Sequence, residues 1–483
     1  MSRLVNGVPS TLPRTFKSFF NRARSGSNDP ETVENVQGWI KSVRLMKNMA
    51  FVDLQDGTTP HTLKLVVQRA GVGSESSSED HLRKLKTGQS VTVNSAVWMP
   101  TPTRQQPFEL QAAEDAVRIV GDVPASYPLQ KKSHSLSFLR TQPTLKHRSH
   151  YLGALLRFRS HVEVALTQFF ELHDCTKVAP PILTSGDCEG AGELFRVESR
   201  ARWGQMAQYF GQETYLTVST QLHLEVLAAA LGRCWTLSPC FRAEESDTNR
   251  HLAEFWMLET ELSFIDNVYD LTVFAETMLK YVAQRCIDRQ QDLLPALVPI
   301  GSNAEDVKVV VERWEALLAR GQWPRLTYSE AITLLQGQHV SQPFSFEPVW
   351  GQDLQTEHEK WLAAHLDSPV FITDYPRSCK AFYMKQNTDG RTVACFDLLV
   401  PQMGELIGGS VREDNYETLL QEMSRRNMNH EDLAWYTDLR RNGSAPHGGF
   451  GLGLERFVAW LFGAHNIRDA IPFSRSAGGS IEL

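Results

Sequence analysis

An α+β fold is predicted for this chain, with a small β-barrel over residues 31–120 and a larger domain over 151–483 in which helices flank an antiparallel sheet. Three observations predict it. Residues 34–120 are short strand-like runs separated by turn signals and broken by one helical stretch, HLRKLK. Beyond them, apolar residues recur with a helical period in Tyr151 to His173, in LTVFAETMLKYVAQRCIDR and in VKVVVERWEALLAR. The strand-like runs among those helices are joined in pairs by short polar turns, a connection open to antiparallel strands but not to parallel ones.

Composition narrows the class. With 483 residues, 42% hydrophobic, the chain has material for two or three cores. No run of 18 apolar residues occurs, so no membrane span is expected. Seven cysteines without a CxxC pair argue against a disulfide scaffold and a structural zinc site, and for a reducing compartment. Charge is uneven. Residues 1–28 contain Arg3, Arg14, Lys17, Arg22 and Arg24 but no acid, which leaves the remainder with 44 basic against 56 acidic side chains, or −12. Such a body does not bind nucleic acid unspecifically, so any RNA contact must be a local basic patch.

Taken in order, residues 1–30 are Arg- and Ser-rich, with Phe16, Phe19 and Phe20 placed to share a helical face. That is the composition of a mitochondrial transit peptide lying outside the fold, and the matrix is the expected location. A basic arm touching RNA in a cytoplasmic protein is the alternative. The 31–120 run, closed by Asp56-Gly57 turn chemistry, fits a five-stranded OB barrel. Residues 121–150 are Pro-containing and acid-free, and read as a basic hinge. A long helix follows, with Leu155, Phe158, Val162, Leu166 and Phe169 near one stripe, and then a strand ending at Pro181. GDCEGAGELF is Gly-rich enough to close over a ligand. In FGQETYLTVSTQLHLEVLAAALG, a strand, a Ser219 or Thr220 cap and a helix ended by Gly232 are legible.

The most charged strand pair is Trp235 to Phe264. Its second arm puts Ala253, Phe255, Met257, Glu259 and Glu261 on one face, and two carboxylates on so apolar an arm need partners. An edge hairpin with solvated charges has the same spacing. Further on, Asp397 and Glu405 fall on two strands joined by a Pro401 to Gly404 turn, where they converge or else form an exposed acidic turn. GLGLER opens a helix whose N-terminal donors suit an anion.

FRAE, a polar loop, RHLAEF and a Glu-x-Glu together resemble motif 2 of the class II aminoacyl-tRNA synthetases, in the aspartyl and asparaginyl branch. The helix and strand up to Pro181 resemble motif 1, and GLGLER resembles motif 3. The resemblance implies an OB-fold anticodon-binding domain followed by a class II catalytic domain, ATP as substrate, Mg²⁺, and a homodimer built through motif 1. Arg242 is implied on the α-phosphate and the substrate carboxylate, Glu244 beside adenine, and Arg250 and His251 near the outer phosphates. Phe255 is implied stacking on adenine, Gly453 at the phosphate-facing helix start, and Arg456 on the γ-phosphate. Asp397 and Glu405 are implied as metal ligands, Glu189 on the α-ammonium and Arg412 on the substrate's side-chain oxygen. In the barrel, Phe51 is implied under an anticodon base, although spacing alone also allows a core Phe. Lys64 stands where the branch usually offers a glutamine.

One departure bears on substrate. The aspartyl pattern QLxK has a lysine for the substrate carboxylate, whereas here Gln221 is followed by Leu224 and Glu225. A neutral Leu224 and a Glu225 able to accept from an amide point to L-asparagine, and so to tRNA(Asn) as partner. An aspartate-specific enzyme and a catalytically dead RNA-binding paralogue are the alternatives.

Overall fold

The computed structural model describes residues 13–26, 29–69, 81–101, 106–185, 194–200, 206–245, 248, 250–294, 305–431, 433–479 and 481. Two compact units emerge, residues 1–154 with 291–302, and residues 155–290 with 303–483.

The first unit holds the barrel. Its long strand β1, Glu31–Leu45, pairs antiparallel with β4, Ser90–Pro100, through one half and with β2, Met49–Gln55, through the other. A register shift between Ile40 and Ser42 bends it. β3, Leu63–Gln68, lies between β2 and β5, Phe108–Ala113, and β5 returns to β4, which closes the ring. A sixth strand, β6, Val117–Gly121, adds to β4. The chain enters through a helix α1, Phe16–Arg24, and carries the expected helical HLRKLK as α2, His81–Lys84. Period-two alternation drives the arrangement: Ala50, Val52 and Leu54 are buried, while Phe51 between them is 41% exposed. A core role for Phe51 is thereby excluded.

Two expectations change here. Residues 16–24 do not lie outside the fold, because Phe16, Phe19 and Phe20 are buried in the barrel core. The stretch read as a plain hinge is partly packed, with Tyr127 buried where Gly88 leaves room for its ring, and a short helix α3, Leu136–Arg140, capped by Ser135.

The second unit is an eight-stranded sheet with antiparallel centre. β7, Thr176–Lys177, runs parallel to β8, Arg233–Phe241, which pairs with β9, Glu254–Ser263. On the other side come β10, Arg325–Thr327, β11, Val370–Thr373, β12, Cys395–Val400, β13, Gly404–Val411, and β14, His447–Gly453. The spatial order is β10-β11-β12-β13-β14-β9-β8-β7. The strand expected to reach Pro181 is only two residues long, since Pro180 and Pro181 have no N–H to continue a ladder.

Helices cover this sheet. α4, His150–Leu172, buries Leu155, Phe158, Val162, Leu166 and Phe169, the stripe its period predicts. α5, Gln221–Leu231, ends at Gly232 with φ +75°, as expected. α6, Val268–Ile287, α7, Val307–Ala319, α8, Tyr328–Ser341, and α9, Thr356–His365, follow. α10, Tyr416–Arg425, α11, Ala434–Arg441, and α12, Leu454–Phe462, complete the set used below. Among the described residues no helix is long and apolar enough to cross a membrane, and six cysteines are free.

Candidate active site

A cavity of about 580 Å³ opens in the second unit, walled by β9, β12, β13 and β14. Antiparallel pairing explains why charges meet there. Phe255, Met257, Glu259 and Glu261 all face it, as the alternation along β9 requires. The two buried carboxylates are partnered. Glu259 accepts from the backbone N–H of Thr220 at 3.0 Å, from the Thr220 hydroxyl at 2.5 Å and from the Ser219 hydroxyl, so it caps the start of α5 from outside. Glu261 takes the Arg412 fork, with Nε donating at 3.1 Å and Nη2 at 2.9 Å. Burial pushes the Glu261 carboxyl up and Arg412 opposes it. Gly449 faces this carboxylate across the sheet: a Cβ there would come within 2.3 Å of Glu261 Oε2 and 2.0 Å of the Thr260 carbonyl oxygen.

At the opposite end, Arg242, Arg250 and Arg456 line the same space together with Glu244, His251 and Gly453. Arg242 stacks over Phe255 at 5.6 Å and lies 3.9 Å from Glu244, which is itself 3.7 Å from His251. Gly453 directly precedes α12 and no side chain caps it. Burial lowers the His251 imidazole below its usual value, Glu244 counters this, and Arg456 and Arg250 reinforce it.

Asp397 and Glu405 converge as expected. Both face Gly408, whose missing Cβ would sit 3.3 Å from Glu405 Oε1 and 3.6 Å from Asp397 Oδ1. Two residues that sequence reasoning missed surround them. Lys380 donates to Asp397 at 2.6 Å and lies 3.9 Å over the Tyr375 ring; burial acts to lower the ammonium's pKa, but Asp397, Cys395 and Glu405 together raise it. Glu359 on α9 accepts from the Glu405 backbone N–H at 3.1 Å, and burial with Glu405 beside it pushes its carboxyl up to about 7. Glu405 is also raised, by burial and then Asp397. A lysine inside the strand-like DYPRSCKAFY run was the signal available for Lys380; for Glu359 there was none.

Gln221 and Leu224 line the cavity near Arg412, but Glu225 does not. Glu225, expected to meet an amide directly, is buried here and engaged by protein groups. Tyr436 Oη donates to it at 2.8 Å, Arg440 Nη2 at 2.7 Å, His447 Nε2 at 2.9 Å and Gln221 Nε2 at 3.1 Å. Burial would raise this carboxyl, yet Arg440 and His447 hold it well below the usual range. With its NH₂ spent on Glu225, Gln221 has its oxygen left for the cavity. Glu189 lies outside the described residues. Phe51 and Lys64 sit in the barrel, Lys64 paired with Asp53.

Comparison with known proteins accords with this geometry. Residues 136–477 match the class II tRNA synthetase family (D, K and N), and residues 35–119 match the OB-fold nucleic acid binding domain. The chain is 52% identical to the mitochondrial asparagine–tRNA ligase of Saccharomyces cerevisiae, over 97% of this chain and 96% of that protein. It is 41% identical to the asparagine–tRNA ligase of Microcystis aeruginosa, over 93% and 96%. Among solved structures, asparaginyl-tRNA synthetase from Pyrococcus horikoshii complexed with asparaginyl-adenylate aligns with TM-score 0.80 and 31% identity, over 94% of this chain and 97% of that one. A family match over most of the chain and near full-length likeness at these identities place it: the chain belongs to the class II aminoacyl-tRNA synthetases, among the asparaginyl-tRNA synthetases.

Proposed function

We propose that the chain joins L-asparagine to tRNA(Asn) in two steps, with ATP as the second substrate. The asparagine carboxylate attacks the α-phosphorus of ATP, pyrophosphate leaves, and the tRNA 3′-terminal hydroxyl then takes the acyl group from asparaginyl-adenylate, releasing AMP. A single observation carries this reading: one cavity has three arginines at one end and, at the other, an arginine fork beside the uncharged Leu224. The first step needs no general base, because the attacking carboxylate is already an anion. What it needs is alignment and charge stabilisation. Arg242 is assigned to the α-phosphate and substrate carboxylate, Arg456 to the γ-phosphate, and Arg250 and His251 to the outer phosphates. Adenine stacks on Phe255, with Glu244 at its edge. Glu189 is assigned to the substrate ammonium by resemblance.

For the substrate side chain, Arg412 donates to the carbonyl oxygen, and Gln221 presents an acceptor to a substrate N–H. Leu224 adds no positive charge for an aspartate, and Arg412 is already paired with Glu261. Glu225 acts through Gln221 and Arg440 instead of touching the ligand.

Asp397 and Glu405 are suited to Mg²⁺, being two converging oxygen donors, and burial together with Asp397 raises the Glu405 pKa, a cost that a cation between them would relieve. When bound, the ion supplies charge neutralisation to the triphosphate; Lys380 and Glu359 keep the two carboxylates in place.

The barrel is assigned to the anticodon, with a base stacked on the exposed Phe51 and Lys64 beside it. A homodimer through residues 151–181 follows from the motif 1 resemblance, with exposed Val164 and Leu172 on α4 as candidate contacts. Sedimentation of a fully active monomer at assay concentration would contradict it. The acid-free N-terminus and the name of the yeast relative support the mitochondrial matrix as location, which a reporter fused to residues 1–30 checks by its site of accumulation.

Amino-acid-dependent pyrophosphate exchange tests the central reading. Exchange is expected with asparagine and not with aspartate. Equal exchange with aspartate sinks the substrate assignment, and none with either amino acid returns the chain to RNA binding alone.

A further inference from the structure

The same nine residues that give the N-terminus its amphipathic, basic character are built into the barrel. Phe16 and Phe19 are fully buried and Phe20 nearly so. Gly38 on β1 leaves the space that the Phe16 ring fills, since a Cβ there would lie 2.9 Å from the ring tip. Phe20 meets Phe108 of β5 edge-on at 5.1 Å, and Arg22 stacks over Trp98 of β4 at 4.8 Å while pairing with Glu31. The helix start is held by the barrel too. Asp56 of the β2–β3 turn accepts from the Phe16 N–H at 2.7 Å, Thr58 accepts from the Lys17 N–H at 3.3 Å, and Thr15 accepts from the Ser18 N–H. Donors that a helix leaves open at its first turn are thus closed by a turn some forty residues on.

We propose that α1 is a permanent plug of the barrel as well as the apolar face of an import sequence, so that any proteolytic maturation cuts before Arg14. The import half rests on the mitochondrial reading above; the plug does not. The two uses are separated in time. In the unfolded chain the three phenylalanines, at spacing i, i+3, i+4, are open to a receptor groove with Lys17, Arg22 and Arg24 on the remaining surface. After folding, that face is gone from water. Maturation is hydrolysis of one peptide bond by an external endopeptidase, with water adding across it. Placed after Arg24, the cut would strip the barrel of two fully buried rings, would leave Gly38 and Phe108 against an empty slot, and would take the Phe16 N–H from the Asp56 carboxylate.

Two chains, one starting at Pro13 and one at Ser27, test the plug beside the full chain. The first should match the full chain. The second should lose more than about 10 °C in the barrel's melting transition. Its KM for tRNA should rise at least about ten-fold, a 1.4 kcal/mol change, while tRNA-independent pyrophosphate exchange holds. If the chain from Ser27 matches the full chain in all three, the plug is overturned. Hydrogen exchange on the full chain covers the case in which that variant does not fold: the amides of residues 19–24 should be protected as well as those of β1, and exchange at the rate of open chain overturns the plug. The N-terminus of the protein purified from mitochondria is expected at or before Arg14, and one beyond Arg14 overturns the processing limit. Absence from mitochondria removes the location reading and leaves the plug standing.

Discussion

The two ends of the cavity carry similar charge in different states. Where Arg412 meets Glu261, the side chains are 3% and 0% exposed. At the arginine-rich end, the side chains of Arg242, Glu244 and His251 are 34%, 42% and 37% exposed. Desolvating a charge is costly unless a partner compensates, so the closed end carries that cost within the folded protein and offers a ligand fixed donors. The open end keeps its charges in water until an anion arrives. Discrimination between near-isosteric side chains needs the first arrangement, and capture of a highly charged triphosphate is served by the second.

Substitutions break this contrast in different ways. Arg412→Met should be the most damaging, costing stability by about 3–5 kcal/mol because Glu261 is left buried and unpaired; urea denaturation measures it, and asparagine-dependent exchange should vanish as well. Arg242→Lys keeps the charge at the open end but loses the fork. We expect exchange to fall by roughly 10²–10³ with little change in melting, the signature of a solvated site. A wild-type rate in that variant would show that Arg242 is not on the reacting groups.

Pairing away from the cavity gives a scale for the closed end. Burial acts to raise the Glu422 carboxyl, yet hydrogen bonds from Arg425, Arg426 and Arg377 outweigh it and hold it at about 2. Its folded value is depressed, so its contribution is complete above the ordinary value of 4.5 and is lost as pH falls through 4.5 towards 2. The loss should reach about 3 kcal/mol. Denaturation of wild type and Glu422→Gln between pH 6 and 2.5 should show two curves that approach one another in acid; a constant gap would refute the pairing. Smallest is Leu224→Lys, which adds a cation at the closed end. The ratio of aspartate to asparagine exchange should rise by about ten-fold, and an unmoved ratio would mean that the side chain is read elsewhere.

Much of the open end was legible because its residues come from continuous motifs: Arg242, Glu244 and His251 flank one turn, and Gly453 and Arg456 lie within one helix start. Alternation alone placed Phe255, Met257, Glu259 and Glu261 on one face. The closed end was harder. Glu225 meets Arg440 and His447 over more than two hundred residues, and nothing local distinguishes a saturated carboxylate from one waiting for a ligand. Lys380 and Glu359 escaped for the same reason. The N-terminal phenylalanines form a legible stripe, but a stripe does not name the surface that covers it, so the same residues fit a detachable leader and a barrel core equally well in sequence.

Gly449 has a consequence for how this enzyme tolerates change. Its backbone angles are open to any residue, since it is not among the glycines with positive φ, so the constraint is one of room. Cores usually absorb one extra methyl by letting a neighbouring side chain swing aside. Here the neighbours are the Thr260 carbonyl oxygen, which belongs to the paired strand and cannot swing, and the carboxylate that aims Arg412. A side chain at this strand position would have to push β14 from β9 as well as displace Glu261, so every charged group of the cavity would be present while the aim of Arg412 was lost. A census of the residues lining the cavity would score such a variant as harmless, because Gly449 is not one of them.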